Sequence, residues 1–197
     1  ASTEPLAVAL HAINQAGNLF GKRILVTGAG PIGALLIGAA RLAGAQEIVA
    51  LDISEAPLKA AAAMGADVVI NPNKNASQLM DEYSKDKGYF DAAFECTGAG
   101  QVLNQIFPVV APRGAVVMVG ISGETPIPTG TIVGKEIALI GTHRFHREYE
   151  HAAQLIKEQR INVFPTITTT LPMERIVEAY QIARDRSAQM KVQLTFD

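Results

Sequence analysis

The chain has 197 residues, 48% of them hydrophobic and 18% charged, with a formal net charge of -2 and a single Cys. That length suits one domain, or one domain with an appendage, and buries roughly two-thirds of the unfolded surface without staples. The composition excludes a disulfide framework, a four-Cys zinc site, a nucleic-acid groove and a membrane span, the longest apolar run from Ala34 to Ala40 being closed by Arg41.

Thr3 is placed to cap a helix that carries Glu4 and Pro5 in its first turn and ends at Gly17. Arg23 to Thr27 is a β-branched run stopped by Gly28, the pattern of a buried strand. Pro31 to Ala43 predicts a helix ended by Gly44, and Glu47 to Leu51 a second strand closed by Asp52. Glu55 to Met64 follows as an Ala-rich helix ended by Gly65, then Asp67 to Ile70 as a third strand stopped by Pro72. A polar helix over Ala76 to Lys85 leads to a strand from Tyr89 to Cys96 and a mostly helical stretch from Gly100 to Val110. Gly114 to Val119 is a fifth strand, Gly120 to Gly130 a Gly/Pro-rich loop, and Ile137 to Gly141 a sixth strand. His146 to Gln159 predicts a helix with Tyr149, Ala152, Ala153 and Ile156 on one face.

Apolar strands alternating with helices predict an α/β fold, a doubly wound parallel sheet covered on both faces by right-handed crossovers. The last stretch differs. Val163 to Thr170 is Thr-rich and β-prone, and Leu171 to Ala183 predicts a helix with Met173, Ile176, Val177 and Tyr180 on one stripe. Lys191 to Phe196 alternates in polarity. This part is expected to be an appendage to the sheet.

The strongest chemical signal is Thr27-Gly28-Ala29-Gly30-Pro31-Ile32-Gly33, a G-x-G-x-x-G between a strand and a helix. Gly28 permits the tight turn, Gly30 lets a pyrophosphate approach the backbone, and Gly33 lets helix and strand pack closely. The helix N-terminus offers free N–H groups and a partial positive charge, and Pro31 sits where a missing N–H costs nothing. Asp52 closes the next strand about twenty residues past the loop, where a ribose hydroxyl acceptor belongs. Its carboxylate would repel the 2′-phosphate of NADP, and Ile53 to Ala56 bring no cation, with Lys59 the nearest; NAD is therefore the expected cofactor. An S-adenosylmethionine-dependent methyltransferase domain is the alternative of another class, since it too combines a glycine loop with an acid after the next strand. A non-catalytic nucleotide-binding domain is a second alternative.

With these residues in hand, the chain resembles the cofactor-binding C-terminal part of the zinc-dependent medium-chain dehydrogenases, best of all the polyol branch of the sorbitol and L-idonate dehydrogenases. The anchors are Glu4-Pro5-Leu6, Gly28 to Gly33, Met64-Gly65-Ala66-Asp67, Gly88 to Asp91, Phe94 to Gly98, Val119-Gly120, Gly134 to Ile137 and Arg144-Phe145. The resemblance implies a six-stranded Rossmann sheet of order 3-2-1-4-5-6. It also implies a bridging helix over 1–17, the NAD-binding domain over 18–162, and a tail over 163–197 that returns to a catalytic domain. That domain, with most of the zinc chemistry, lies outside this chain, so the chain alone is expected to bind NAD and to turn over nothing.

By the same resemblance Glu4 stands beside the zinc of the full-length enzyme, and Ile32 lies under the pyrophosphate. Cys96, Thr97 and Gly98 stand beside the nicotinamide, while Val119, Gly120 and Ile121 meet its carboxamide. Thr142, His143 and Arg144 form the loop after the sixth strand, where Arg144 pairs with a cofactor phosphate or a substrate hydroxyl and Phe145 faces the substrate. Pro57 departs from the pattern: sorbitol dehydrogenases carry an Arg there, against the adenosine. The expected substrate is a polyol or sugar acid oxidised at a secondary alcohol, and the expected assembly a homodimer or homotetramer joined through the sixth strands. The first residue is Ala rather than Met, so the chain is expected to be processed or part of something longer. With no signal-like start, a cytoplasmic location is expected.

Other motifs favour plain structural roles. Tyr83 and Lys87 spell Y-x-x-x-K, but ahead of the fourth strand, where a solvated helix end is expected. His143 and His146, with His151 near, start from a strand end and so lack the shared helical face of a metal pair. Cys96 is expected to be a structural thiol on a buried strand, and Ser122 lacks the flanking pattern of a nucleophile elbow.

Overall fold

Six strands form one parallel sheet of order β3-β2-β1-β4-β5-β6, in a computed structural model that describes residues 1–121, 123–185 and 187–196. The strands are β1 (Arg23–Thr27), β2 (Glu47–Leu51), β3 (Val68–Ile70), β4 (Phe90–Glu95), β5 (Val110–Met118) and β6 (Ala138–Gly141). The helices between and around them are α1 (Thr3–Ala16), α2 (Pro31–Leu42), α3 (Glu55–Ala63), α4 (Gln78–Tyr83), α5 (Gly100–Val109), α6 (Thr129–Lys135) and α7 (Glu148–Lys157). A second sheet pairs β7 (Ile167–Pro172) with β8 (Lys191–Thr195) in parallel, with α8 (Ile176–Ala183) between them.

The inner strands are apolar at nearly every position because both faces are covered. The pleat still sorts them. Ile24, Val26, Ile48, Ala50 and Phe94 pack with α1, α2, α3 and α7, while Leu25, Val49, Ala93 and Val116 pack with α4 and α5. Asp67 pins the first half: its carboxylate accepts from the Ile48 N–H at 2.7 Å and from Arg41, whose guanidinium also donates to the Gly65 and Ala45 carbonyls. At the opposite end of the sheet from the glycine loop, Arg23 donates to Asp91 and lies over the Tyr89 ring, whose hydroxyl donates to Glu47.

Several local expectations are corrected. Thr3 lies inside α1 and Ser2 is the cap residue, with no side-chain capping bond. β5 starts at Val110, directly from α5, because the chain bulges between the Phe90–Val110 and Ala92–Ala115 pairs and so accommodates Pro112 and a left-handed Arg113. The Gly/Pro-rich loop gives way to α6, whose Lys135 ammonium donates to the carbonyls of Phe107, Pro108 and Val110, each at 2.9 Å. On α7 the buried residues are Glu148 and Ala152, whereas Tyr149 and Ala153 are exposed. On α8 the stripe of Val177 and Tyr180 points to solvent and Ala179 is buried. Tyr83 sits in the core against Tyr89 and Phe90, where burial pushes its hydroxyl up to about 12, the opposite of what an acid catalyst needs. No described helix is long and apolar enough to cross a membrane.

Candidate functional site

The register of the sheet brings the candidate residues into one row. Thr27 pairs with both Leu51 and Glu95, Glu95 with Met118, and Met118 with Gly141. Five strands therefore end level, and Gly28, Asp52, Cys96, Val119 and Thr142 are the residues that follow β1, β2, β4, β5 and β6. Each of these five still donates its N–H to a neighbouring strand: Gly28 to Leu51, Asp52 to Ile70, Cys96 to Thr27, Val119 to Glu95 and Thr142 to Met118. In an open α/β sheet, ligands bind outside these carboxyl ends where the strand order reverses, which in this fold lies between β1 and β4.

The three glycines of the loop are required for different reasons. Gly28 has φ +82°, and a Cβ there would lie 2.8 Å from Thr97 Cγ2. A Cβ on Gly33 would lie 1.9 Å from the Gly28 carbonyl oxygen, so α2 can leave the turn only with a glycine at that point. Gly30 is unlike both. Its φ is an ordinary -58°, and a Cβ would meet nothing within 4 Å. The protein's own packing does not call for glycine at position 30; a group approaching from outside does. Gly30 is also the cap residue of α2, whose first-turn N–H groups have no helical partner and face that space. Pro31 and Ile32, both half-buried, open the helix.

Asp52 ties this loop to the end of β2. One carboxylate oxygen accepts from the Ala29 N–H at 2.9 Å and the other from the Ser54 N–H at 2.9 Å. Each oxygen keeps a second lone pair, so the side chain is oriented yet still able to accept. Asp52, Ser54 and Pro57 line one side of a cleft of about 650 Å³, with Gly28, Gly30, Pro31, Cys96 and Thr97 along its floor. The other side comes from the tail: Ala183, Ser187, Gln189 and Met190. Lys59 is exposed on α3 and does not line this cleft.

Glu95 organises the middle of the row. It is 3% exposed at the end of β4, and its carboxylate accepts from the Thr97 N–H at 2.7 Å, the Thr97 hydroxyl and the Gly98 N–H at 3.1 Å. The turn so held packs backbone to backbone on the next segment: a Cβ on Gly98 would lie 2.8 Å from the Ile121 carbonyl oxygen, and one on Gly120 would lie 2.2 Å from the Gly98 nitrogen. Cys96 to Gly98 and Val119 to Ile121 thus form one unit. Cys96 lies just past β4 and is half-buried; burial foremost, with the Glu95 carboxylate, pushes its thiol well above the ordinary range, which suits a structural thiol. Ser122 lies outside the described residues.

The loop after β6 completes the row. Thr142 Oγ1 is buried with no hydrogen-bond partner among the described residues, and His143 and Arg144 are exposed, Arg144 in a left-handed conformation. Phe145 packs on Tyr149, their ring centroids 5.6 Å apart. Glu4 is exposed in the first turn of α1, and among the described residues no cluster of three or more His, Cys, Asp or Glu could hold a metal. Zinc therefore does not fit the described residues of this chain by themselves.

Sequence reasoning missed four residues. Glu95 had a signal, an acid closing a strand directly after the apolar run Ala92 to Phe94. Glu148 and the tail residues Gln189 and Met190 had none, because their partners are far away in the chain.

Comparison with known proteins agrees with this geometry. A family profile described as zinc-binding dehydrogenase matches residues 31–158. L-idonate 5-dehydrogenase (NAD(P)(+)) of Escherichia coli strain K12 is 41% identical over 197 residues, all of this chain and 57% of that protein. Sorbitol dehydrogenase of Pongo abelii is 31% identical over 202 residues, all of this chain and 56% of that protein. The crystal structure of the Escherichia coli L-idonate 5-dehydrogenase superposes with a TM-score of 0.92 over 98% of this chain and 56% of the other. That of 2R,3R-butanediol dehydrogenase from Bacillus subtilis superposes with a TM-score of 0.88 at 28% identity, over 99% of this chain and 56% of the other. The chain spans somewhat more than half the length of the relatives it matches.

Proposed function

Because the chain belongs to the zinc-binding dehydrogenase family, as its NAD-binding part, we propose that it holds NAD for the oxidation of a polyol or sugar acid at a secondary alcohol, as in an L-idonate dehydrogenase. The observation that carries this reading is the open space at Gly30, beside the first turn of α2 and in the same cleft as the Asp52 carboxylate. When bound, NAD supplies the hydride acceptor at its nicotinamide ring.

The chain's own residues do the positioning. The backbone N–H groups of Gly30, Ile32 and Gly33 take the pyrophosphate, with Ile32 beneath it, and Asp52 accepts from the adenosine ribose hydroxyls. Pro57 lines the adenosine end as an apolar wall in place of an arginine. The unit of Cys96 to Gly98 and Val119 to Ile121 receives the nicotinamide, with its backbone meeting the carboxamide. Thr142, His143 and Arg144 close over it, and Arg144 and Phe145 face the substrate. Because Asp52 is an anion and Lys59 stands outside the cleft, NAD is preferred to NADP. The name of the Escherichia coli relative includes both cofactors, so this preference is specific to the proposal.

Glu4 does not make a zinc site alone; its proposed role is one carboxylate beside the metal of a longer enzyme. The isolated chain is expected to bind cofactor without turnover. The outer edge of β6 carries Ala138, Leu139, Ile140 and Gly141 and pairs with no other described strand, which suits a second copy of the chain in a homodimer or homotetramer. Calorimetric titration with NADH, NADPH and S-adenosylmethionine tests the reading: NADH should bind most tightly. Preference for NADPH would refute the role of Asp52, and binding of S-adenosylmethionine alone would refute the dehydrogenase reading.

A further inference from the structure

Glu148 opens α7, and an acid in a first helical turn is ordinarily a solvated residue favoured by the helix dipole. This one is buried, and both of its oxygens are engaged in different directions. Oε1 accepts from the side chains of α1: His11 Nδ1 at 3.0 Å and Asn14 Nδ2 at 2.9 Å. Oε2 accepts from the backbone N–H of His146 at 2.8 Å, inside the loop that leaves β6. The arrangement is itself fixed. His11 Nε2 lies 3.3 Å from the amide nitrogen of Gln15, which assigns the Nδ1 proton to the bond with Glu148, and the His11 ring meets the His146 ring edge to face at 5.1 Å. Burial opposes the charged form of Glu148, but the bonds from His11, the His146 N–H and Asn14 outweigh it and hold the carboxyl at about 2.

The carboxylate therefore joins two parts of the chain that otherwise meet through the His11 and His146 rings and the packing of α7 on α1, and it adds hydrogen bonds of fixed direction between them. One is α1. The other is the loop of Thr142 to Arg147, which holds a left-handed Arg144 and a buried Thr142 hydroxyl with no partner among the described residues. In the strand order of this sheet, β4, β5 and β6 form the half that receives the nicotinamide end of a dinucleotide, while β1, β2 and β3 receive the adenosine end. We propose that Glu148 is a positioning residue for the nicotinamide half-site, clamping the loop after β6 onto α1 so that Arg144 and Phe145 are presented in one fixed geometry. The inference rests on the dinucleotide reading above, and it assigns to α1 a second task besides covering the sheet.

The test separates the two halves of the ligand. The 197-residue chain and its Glu148→Gln variant are titrated with NADH and with ADP-ribose, which lacks the nicotinamide, and amide hydrogen exchange is followed in both. The variant should lose about tenfold in NADH affinity, the scale of one hydrogen bond to a charged group, with ADP-ribose binding unchanged within about twofold. The amides of residues 142 to 147 should exchange faster, with those of β1 and β4 unaltered. The blue-shifted fluorescence of bound NADH should weaken, and Glu148→Asp, which keeps the charge, should restore part of the affinity. Equal loss of NADH and ADP-ribose affinity, or faster exchange throughout the chain, would mean that Glu148 serves stability alone and would overturn the proposal. Unchanged exchange in the loop would overturn it as well. If the unaltered chain bound neither ligand, the dinucleotide reading would fall, while the exchange data would still judge the clamp.

Discussion

A methyl group on Gly33 would sit 1.9 Å from the carbonyl oxygen of Gly28, whereas a methyl group on Gly30 would touch nothing within 4 Å. The two glycines of one motif therefore answer to different demands, one to the fold and one to a ligand. Gly33→Ala should cost about 3 kcal/mol or more, because the clash is with backbone that cannot step aside. Gly30→Ala should leave stability within about 1 kcal/mol, yet remove most NADH binding. Urea unfolding and NADH titration on both variants check the contrast.

Asp52→Asn keeps an oxygen for the loop but removes the negative charge. NADH affinity should fall, NADPH affinity should rise, and their ratio should move toward NADPH by at least about tenfold, a few kcal/mol at most being available from one exchanged charge. Parallel titrations give that ratio, and an unchanged ratio would contradict the role given to Asp52.

Glu148 makes the fold sensitive to acid. Its carboxyl lies at about 2 in the folded chain against an ordinary 4.5. A depressed carboxyl contributes stability that is fully present above its unfolded value and is lost as pH falls through the folded value. The expected loss between about pH 4.5 and 2 is about 3 kcal/mol. Glu148→Gln starts from a lower stability but should show a flatter decline over that window, measured as urea midpoints at stepped pH.

Lys135 closes the carboxyl end of α5 with three hydrogen bonds to carbonyl oxygens. Lys135→Met keeps the aliphatic stem and leaves those oxygens without the cation. A destabilisation of about 2 kcal/mol is expected, with NADH affinity unchanged because the residue lies away from the cleft. Thermal unfolding beside NADH titration checks both halves.

The sheet was legible from the sequence because short-range signals and topology rules agreed. Arg23 to Thr27 and Glu47 to Leu51 are uninterrupted runs bounded by Gly28 and Asp52, and the bounds match the observed strands. Gly28 and Asp52 were legible for the same reason, since each closes a predicted strand, whereas Cys96, Val119 and Thr142 came from the family resemblance, with Cys96 and Val119 expected as the last residues of strands that in fact end one residue earlier. Long-range features were not. The bonds of Glu148 to α1 span 134 and 137 residues, and no periodicity in α7 announces them. The bulge that admits Pro112 into β5 depends on the neighbouring β4, so Pro112 and Gly114 looked like a boundary. The stripe of Val177 and Tyr180 has the spacing of a buried face yet is exposed, because periodicity reports amphipathicity and not what covers it.

The most direct test of the central claim is a crystal structure of the chain grown with NADH. The account predicts the pyrophosphate over Gly30 at the first turn of α2, and the adenosine ribose hydroxyls within hydrogen-bond distance of Asp52. Cofactor bound elsewhere, or a pyrophosphate held away from Gly30, would contradict it.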